Sequence, residues 1–225
     1  MKEIFRLDHG KYSIFIKVMK TISSDQNPCI INESTMTKLI GSSSVIMSDL
    51  NDLIGPNKNF SIVGLRNLLS ISRNINNNFR QFIVYDDDDF YVFDFGKVIF
   101  KSYKNISIDN INIPNIKNIE ARIGKPEIKP LGKSAKFLYS NNVFYAISFS
   151  DDVIYYVDEN FKGFSEPEVE LVSSDFMIIS SDNVEDIVIV SDEDDNLWLK
   201  TSYNIDGILL EQFEHLSMRR KDDII

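Results

Sequence analysis

Cysteine is almost absent from this chain: Cys29 is the single one in 225 residues, so no internal disulfide can form. Histidine is nearly as scarce, with His9 and His215 far apart in the sequence. A structural zinc site needs four closely spaced nitrogen or sulfur ligands, and thiol–histidine catalysis needs a paired set, so this composition speaks against both. Long apolar runs are also missing. No stretch approaches the roughly 20 residues that cross a bilayer, and the opening MKEIFRLDHGKYS has no apolar segment of the signal-peptide kind. A soluble, intracellular protein with no membrane partner is the expectation. What is present is a globular composition, 43% hydrophobic, 12% aromatic and 26% charged, which is neither disordered nor collagen-like. The length suffices for one large domain or two smaller ones, each with its own core.

The formal net charge of −10 argues against a protein that coats nucleic acid with its whole surface, but the charge is unevenly spread. Residues 1–137 hold 19 Lys/Arg against 14 Asp/Glu, whereas residues 138–225 hold 5 against 20. The two halves therefore have opposite sign. Richness in Ile, Asn, Asp and Lys fits an AT-rich genome, and the Asn run at 76–78 reads as loop material.

Alternating or β-branched and aromatic runs occupy residues 43–50, 59–63, 79–85, 89–95, 97–103, 143–149, 153–158, 184–191, 196–203 and 207–213. Turn signals separate them, among them the acidic runs 86–89 and 192–195, which read as hairpin tips. Residues 105–130 hold Pro114, Pro126 and Pro130 with little periodicity, which reads as a linker with one strand inside it and a domain boundary near residue 113. Four segments break the β pattern. In 11–24, Tyr12, Phe15, Ile16, Met19 and Ile22 fall on one face of a helix; in 64–76, Leu65, Leu68, Leu69 and Ile75 do the same. Residues 130–140 are a third helix candidate, weakened by Gly132. Residues 173–181 suit a short helix or a strand.

The faces opposite those apolar stripes are informative. They present Ser13, Lys17, Lys20 and Ser24 on the first helix, Arg66, Ser70, Arg73 and Asn77 on the second, and Lys129, Lys133, Lys136 and Ser140 on the third, with no acidic residue among them. Lys and Arg are ordinary solvated helix residues, and that remains one explanation. The other is a helical surface turned toward a polyanion, which it contacts through phosphates without reading bases.

With these residues in view, the chain resembles the DNA sliding clamps, of the short two-domain type found in T4-like phages and in proliferating cell nuclear antigen. Residues 41–103, containing SSSVIMSDLNDL, FSIVGLRNLLSISRNI and FRQFIVYDDDDFYVFDFGKVIFKSY, look like the strand, second helix and hairpins of a first clamp domain. Residues 119–158 look like the opening of a second, and VSSDFMIISSDNVEDIVIV with NLWLKTSYNIDGILLEQF like its closing elements. The resemblance implies a β-rich α+β fold of two clamp-like domains, each with two helices packed on antiparallel sheet, spanning 1–112 and 113–217 with a tail at 218–225. It further implies a non-enzymatic homotrimeric ring without cofactors, in the cytoplasm (that of the host, for a viral chain). Such a ring encircles double-stranded DNA irrespective of sequence and tethers DNA polymerase and clamp-loader peptides. On that basis Lys17, Lys20, Arg66, Arg73, Lys129, Lys133 and Lys136 face DNA. Val45, Ile46, Ile111 and Ile113 are candidates for a partner-peptide pocket or are plain core and linker residues, and 97–103 and 153–158 are the strands that pair between subunits. The fourth helical segment departs from the pattern: it has no basic residue and is bracketed by Asp175 and Asp182.

A β-rich structural or interaction protein, a virion or inhibitor protein for instance, is the alternative, and a carboxylate hydrolase a lesser one. The acidic tips lack the glycine and distal glutamate of a calcium loop. No phosphate-binding glycine motif and no nucleophile elbow occurs. Trp198 falls in a strand run, as a core residue, and the charged tail is expected to fray or to serve as a partner peptide. The cationic stripes generate one direct expectation: reversing Lys17, Lys20, Arg66 and Arg73 to Glu abolishes retention on circular DNA while the fold survives, and unchanged retention would exclude the channel assignment.

Overall fold

The computed structural model describes residues 1–23, 27–41, 44–75, 81–104, 113–124, 134–140, 143–148, 153–157, 169–173 and 176–220. Two compact units divide the chain. The first takes Met1–Gly41, Ile46–Ile111 and Ile205–Leu210; the second takes Ser42–Val45, Asn112–Asn204 and Glu211–Ile225.

The first unit opens with β1 (Lys2–Leu7), which buries Phe5 and Leu7 and turns Lys2 and Arg6 outward. Helix α1 (His9–Thr21) follows, its first turn capped by the Asp8 carboxylate, which accepts from the Lys11 amide at 2.9 Å. Then come β2 (Cys29–Asn32), β3 (Thr35–Ile40), β4 (Ser44–Asp49), the single turn α2 (Asn51–Ile54) and β5 (Phe60–Ile62). Helix α3 (Leu65–Asn74) and strands β6 (Phe82–Asp86), β7 (Phe90–Asp94) and β8 (Ile99–Tyr103) complete it. Strands β1, β6, β7 and β8 form one antiparallel sheet in that order; β4, β3, β2 and β5 lie side by side in another. Ser34 ties the β2–β3 turn to the loop after α2. Fully buried at φ 65°, its hydroxyl donates to the Gly55 carbonyl at 2.6 Å and accepts from the Lys58 amide at 2.9 Å. Gly64 starts α3 at φ 72°, a left-handed conformation that a side chain would strain.

Aromatic packing fills the first core. Phe82 on β6 is fully buried, with ring centroids 5.1 Å from Tyr12, 5.6 Å from Phe15 and 5.1 Å from Phe95, and Phe5 and Phe93 at 6.3 Å. Such offset and tilted pairs add attraction beyond the area they bury. Cys29 sits mid-sheet, paired with Lys38 on β3 and Ile62 on β5. Burial pushes its thiol up to about 12.

The second unit contains β9 (Ile116–Gly124), β10 (Ser134–Ser140), β11 (Val143–Ser148), β12 (Val153–Val157), β13 (Val169–Ser173) and β14 (Phe176–Met177). A 3-10 turn (Ser181–Asn183) leads to β15 (Val184–Asp192), β16 (Leu197–Ile205) and β17 (Ile208–Arg220). Strand order runs β12–β11–β10–β13–β17, and β17 continues through β16 and β15 to β9. Trp198 is buried, as its strand position suggested, and its indole N–H donates to Asp192 Oδ2 at 2.9 Å. Burial pushes the Asp192 carboxyl up, but bonds from Trp198, Asn196 and the amides of Asn196 and Asp194 outweigh it and leave it below its ordinary value. Both acidic runs do form hairpin turns, between β6 and β7 and between β15 and β16.

Two expectations are corrected and one open alternative is decided. Residues 134–140 form strand β10 rather than a helix. Ala135, Phe137 and Tyr139 are buried with Lys136 and Leu138 less so, a period of two, and neighbours β11 and β13 take the hydrogen bonds on either side. Within 173–181 the described residues take the strand alternative: Ser173 ends β13, Phe176–Met177 form β14 against β10 and Ser181 enters the 3-10 turn, so the described residues of the second unit contain no α-helix. The tail does not fray from its first residue: Met218 to Arg220 prolong β17, because β13 opposite them, from Val169 to Leu171, extends the ladder that far. Replacing Phe82 with Ala removes the ring on which five aromatic neighbours converge and costs about 3–5 kcal/mol, read as a lowered urea midpoint with the slope unchanged.

Candidate nucleic-acid interface

Helices α1 and α3 pack on each other and on the sheet through their apolar stripes. Tyr12, Phe15, Ile16, Val18 and Met19 are buried on the first helix and Leu65, Leu68 and Leu69 on the second. That burial decides what faces solvent: Ser13, Lys17 and Lys20 on α1 and Arg66, Ser70 and Arg73 on α3 are exposed. The helices run in opposite directions. Arg66, at the start of α3, donates through Nε to the Ser23 carbonyl just past the end of α1 at 3.3 Å, while Arg73, at the other end, lines the same groove as His9 and Tyr12.

This groove, about 210 Å³, is lined by His9, Tyr12, Ser13, Ile16, Lys17, Lys20, Ser72, Arg73 and Ile75. Three cations and several hydroxyls thus converge on one shallow surface between two helices. Lys20 and Arg73 each lie in the last turn of a helix, where the macrodipole favours a positive charge, and neither has an acidic partner among the described residues. Burial raises the Tyr12 phenol, with the Ser72 hydroxyl nearby acting the other way, so it stays a neutral hydroxyl lining the groove. Cations spread over a surface with hydroxyls between them suit a backbone of phosphates, to which ammonium, guanidinium and hydroxyl groups all donate.

The other expected site residues are placed as follows. Lys136 is half-buried on β10, opposite Ile147 of β11, and so does not lie on a helix. Lys129, Lys133, Ser24, Asn77 and Ile111 lie outside the described residues. Val45 and Ile46 are 3% and 0% exposed within β4, so neither offers apolar surface to a peptide; Ile113 is 40% exposed. Among the described residues no group of three or more His, Cys, Asp or Glu is arranged to hold a metal ion. Sequence reasoning missed Asp206. It stands in the turn between β16 and β17, 189 residues from Lys17, and its Oδ2 accepts from the Lys17 ammonium. No periodicity signal connects residues so far apart.

Solved structures share this architecture. The chain superimposes on A. fulgidus PCNA, in a structure with the C-terminal region of FEN-1 bound to it, with a TM-score of 0.55 at 14% identity, over 97% of this chain and 99% of that one. It superimposes on a chain of the PCNA2–PCNA3 complex from Sulfolobus tokodaii with a TM-score of 0.52 at 12% identity, over 94% and 98%. The fold is that of a PCNA-type sliding clamp. No protein-family model and no curated protein sequence matches the chain, so the likeness is one of architecture. Within the clamp fold, the β-rich α+β organisation expected from the sequence is present. Because Lys20 and Arg73 are exposed and hold no ion pair among the described residues, Lys20→Gln and Arg73→Gln should change stability by less than about 0.5 kcal/mol each, measured by thermal unfolding.

Proposed function

We propose that this protein is a DNA sliding clamp, a non-enzymatic processivity factor whose subunits close into a homotrimeric ring around double-stranded DNA and tether polymerase and loader peptides. The observation that carries the proposal is the coincidence of the clamp fold over nearly the whole chain with a cationic α1–α3 face that contains no acidic helix residue. A ring linked topologically to DNA has no need of tight contacts, so weak phosphate pairing on the helices and a negative net charge are compatible. Acidic hairpin tips such as 86–89 and 192–195 would turn DNA away from other surfaces.

Two sheet edges favour ring closure. β8 ends the β1–β6–β7–β8 order and exposes Ile99 and Tyr103 at 54% and 63%; among the described residues β12 ends the β12–β11–β10–β13–β17 order. An open edge with apolar side chains is a pairing surface, and unlike edges meeting head to tail generate a ring when the rotation closes. As a clamp of the kind T4-like phages carry, the protein would work in the cytoplasm of an infected cell. Light scattering over a concentration series should give about 78 kDa, three times the 25.9 kDa chain, falling on dilution if the ring is weak. A monomer at every concentration, with equal retention on closed and linear DNA, would favour the interaction-protein alternative.

A further inference from the structure

The cationic stripe of α1 carries an acidic visitor. Asp206 reaches Lys17 from the β16–β17 turn, within the same unit, and the two side chains form an ion pair while 43% and 54% exposed respectively. The turn itself does not require this carboxylate. Asp206 and Gly207 both have positive φ, 52° and 89°, the pattern of a two-residue hairpin turn that accepts Asn-Gly as readily as Asp-Gly. Nor does α1 need it, since the helix has its own cap at Asp8 and a buried apolar stripe. What only Asp supplies at this position is the negative charge.

We propose that Asp206 is a built-in competitor for the DNA backbone, an affinity-setting residue that occupies Lys17 in the place a phosphate takes. The proposal rests on the assignment of the α1–α3 face to DNA. A carboxylate and a phosphodiester are both monoanions that accept from an ammonium, and an exposed ion pair exchanges readily because water screens it. When a phosphate arrives, Lys17 trades one anion for another and few counterions are released from it. The freed Asp206 carboxylate then lies beside the incoming backbone and repels it. Lys20 and Arg73, without such a competitor among the described residues, contribute fully. Lys17 thereby holds DNA loosely by construction.

The test is anisotropy of a fluorescent duplex oligonucleotide titrated with the full chain across a salt series. Asp206→Asn, which keeps the turn, should tighten binding about two- to fivefold at low salt and steepen the logarithmic salt slope by about 0.9. In a Lys17→Met background the same change should give a clearly smaller gain, since only the repulsion between carboxylate and backbone is then removed. Unaltered affinity and slope in Asp206→Asn overturn the proposal, as does a gain that persists undiminished without Lys17, which would mean a general charge effect. If the parent chain shows no salt-dependent duplex binding and Lys20→Glu with Arg73→Glu changes nothing, the DNA-facing assignment itself fails, and this competitor role with it.

Discussion

Everything on the candidate surface depends on the burial of one apolar stripe. Tyr12 and Phe15 of α1 enter the aromatic cluster around Phe82, Met19 is buried on the same stripe, and because a helix is rigid, fixing that side fixes the opposite one. Lys17 and Lys20 then have no freedom to turn inward. Helix α3 is oriented in the same way by Leu65, Leu68 and Leu69. The electrostatic character of the surface is thus a by-product of hydrophobic packing, and the strength of that packing sets how well the cations hold their spacing.

The first unit was largely legible because its helices are amphipathic with one clean period. Positions such as Phe15 and Leu68 are buried where a 3.6-residue repeat puts them, and the charged residues between them are exposed. Hairpins were legible for a similar reason: acidic runs flanked by aromatic, β-branched strands leave the chain little choice but to turn. Strands β2 and β3 escaped notice, since the buried Lys38 interrupts an otherwise alternating pattern, its ammonium bonded to the Asn27 carbonyl at 2.5 Å.

The second unit was harder because short apolar runs satisfy two periods at once. In KSAKFLYS, residues 133–140, Ala135, Phe137 and Tyr139 mark one face of a strand, yet Lys133 and Lys136 also fit a helical spacing, and local sequence does not decide between them. The decision comes from partners: β11 and β13 flank β10, and backbone groups in the middle of a sheet cannot be left unpaired. Asp206 was beyond reach for a different reason. Its effect on Lys17 is a tertiary contact made by a turn, and the charge pattern of a helix records only residues of that helix.

Cys29 has a consequence for how the protein meets an oxidising or alkylating environment. Its thiol is fully enclosed by the β2–β3 and β2–β5 pairings and stays protonated at physiological pH, so it is a poor nucleophile in the closed fold. As the sole cysteine in the sequence it reacts only when those strands part. The residue is therefore a natural clock for the opening of that sheet, and its labelling rate reports the fraction of molecules in which β2 has let go of its neighbours.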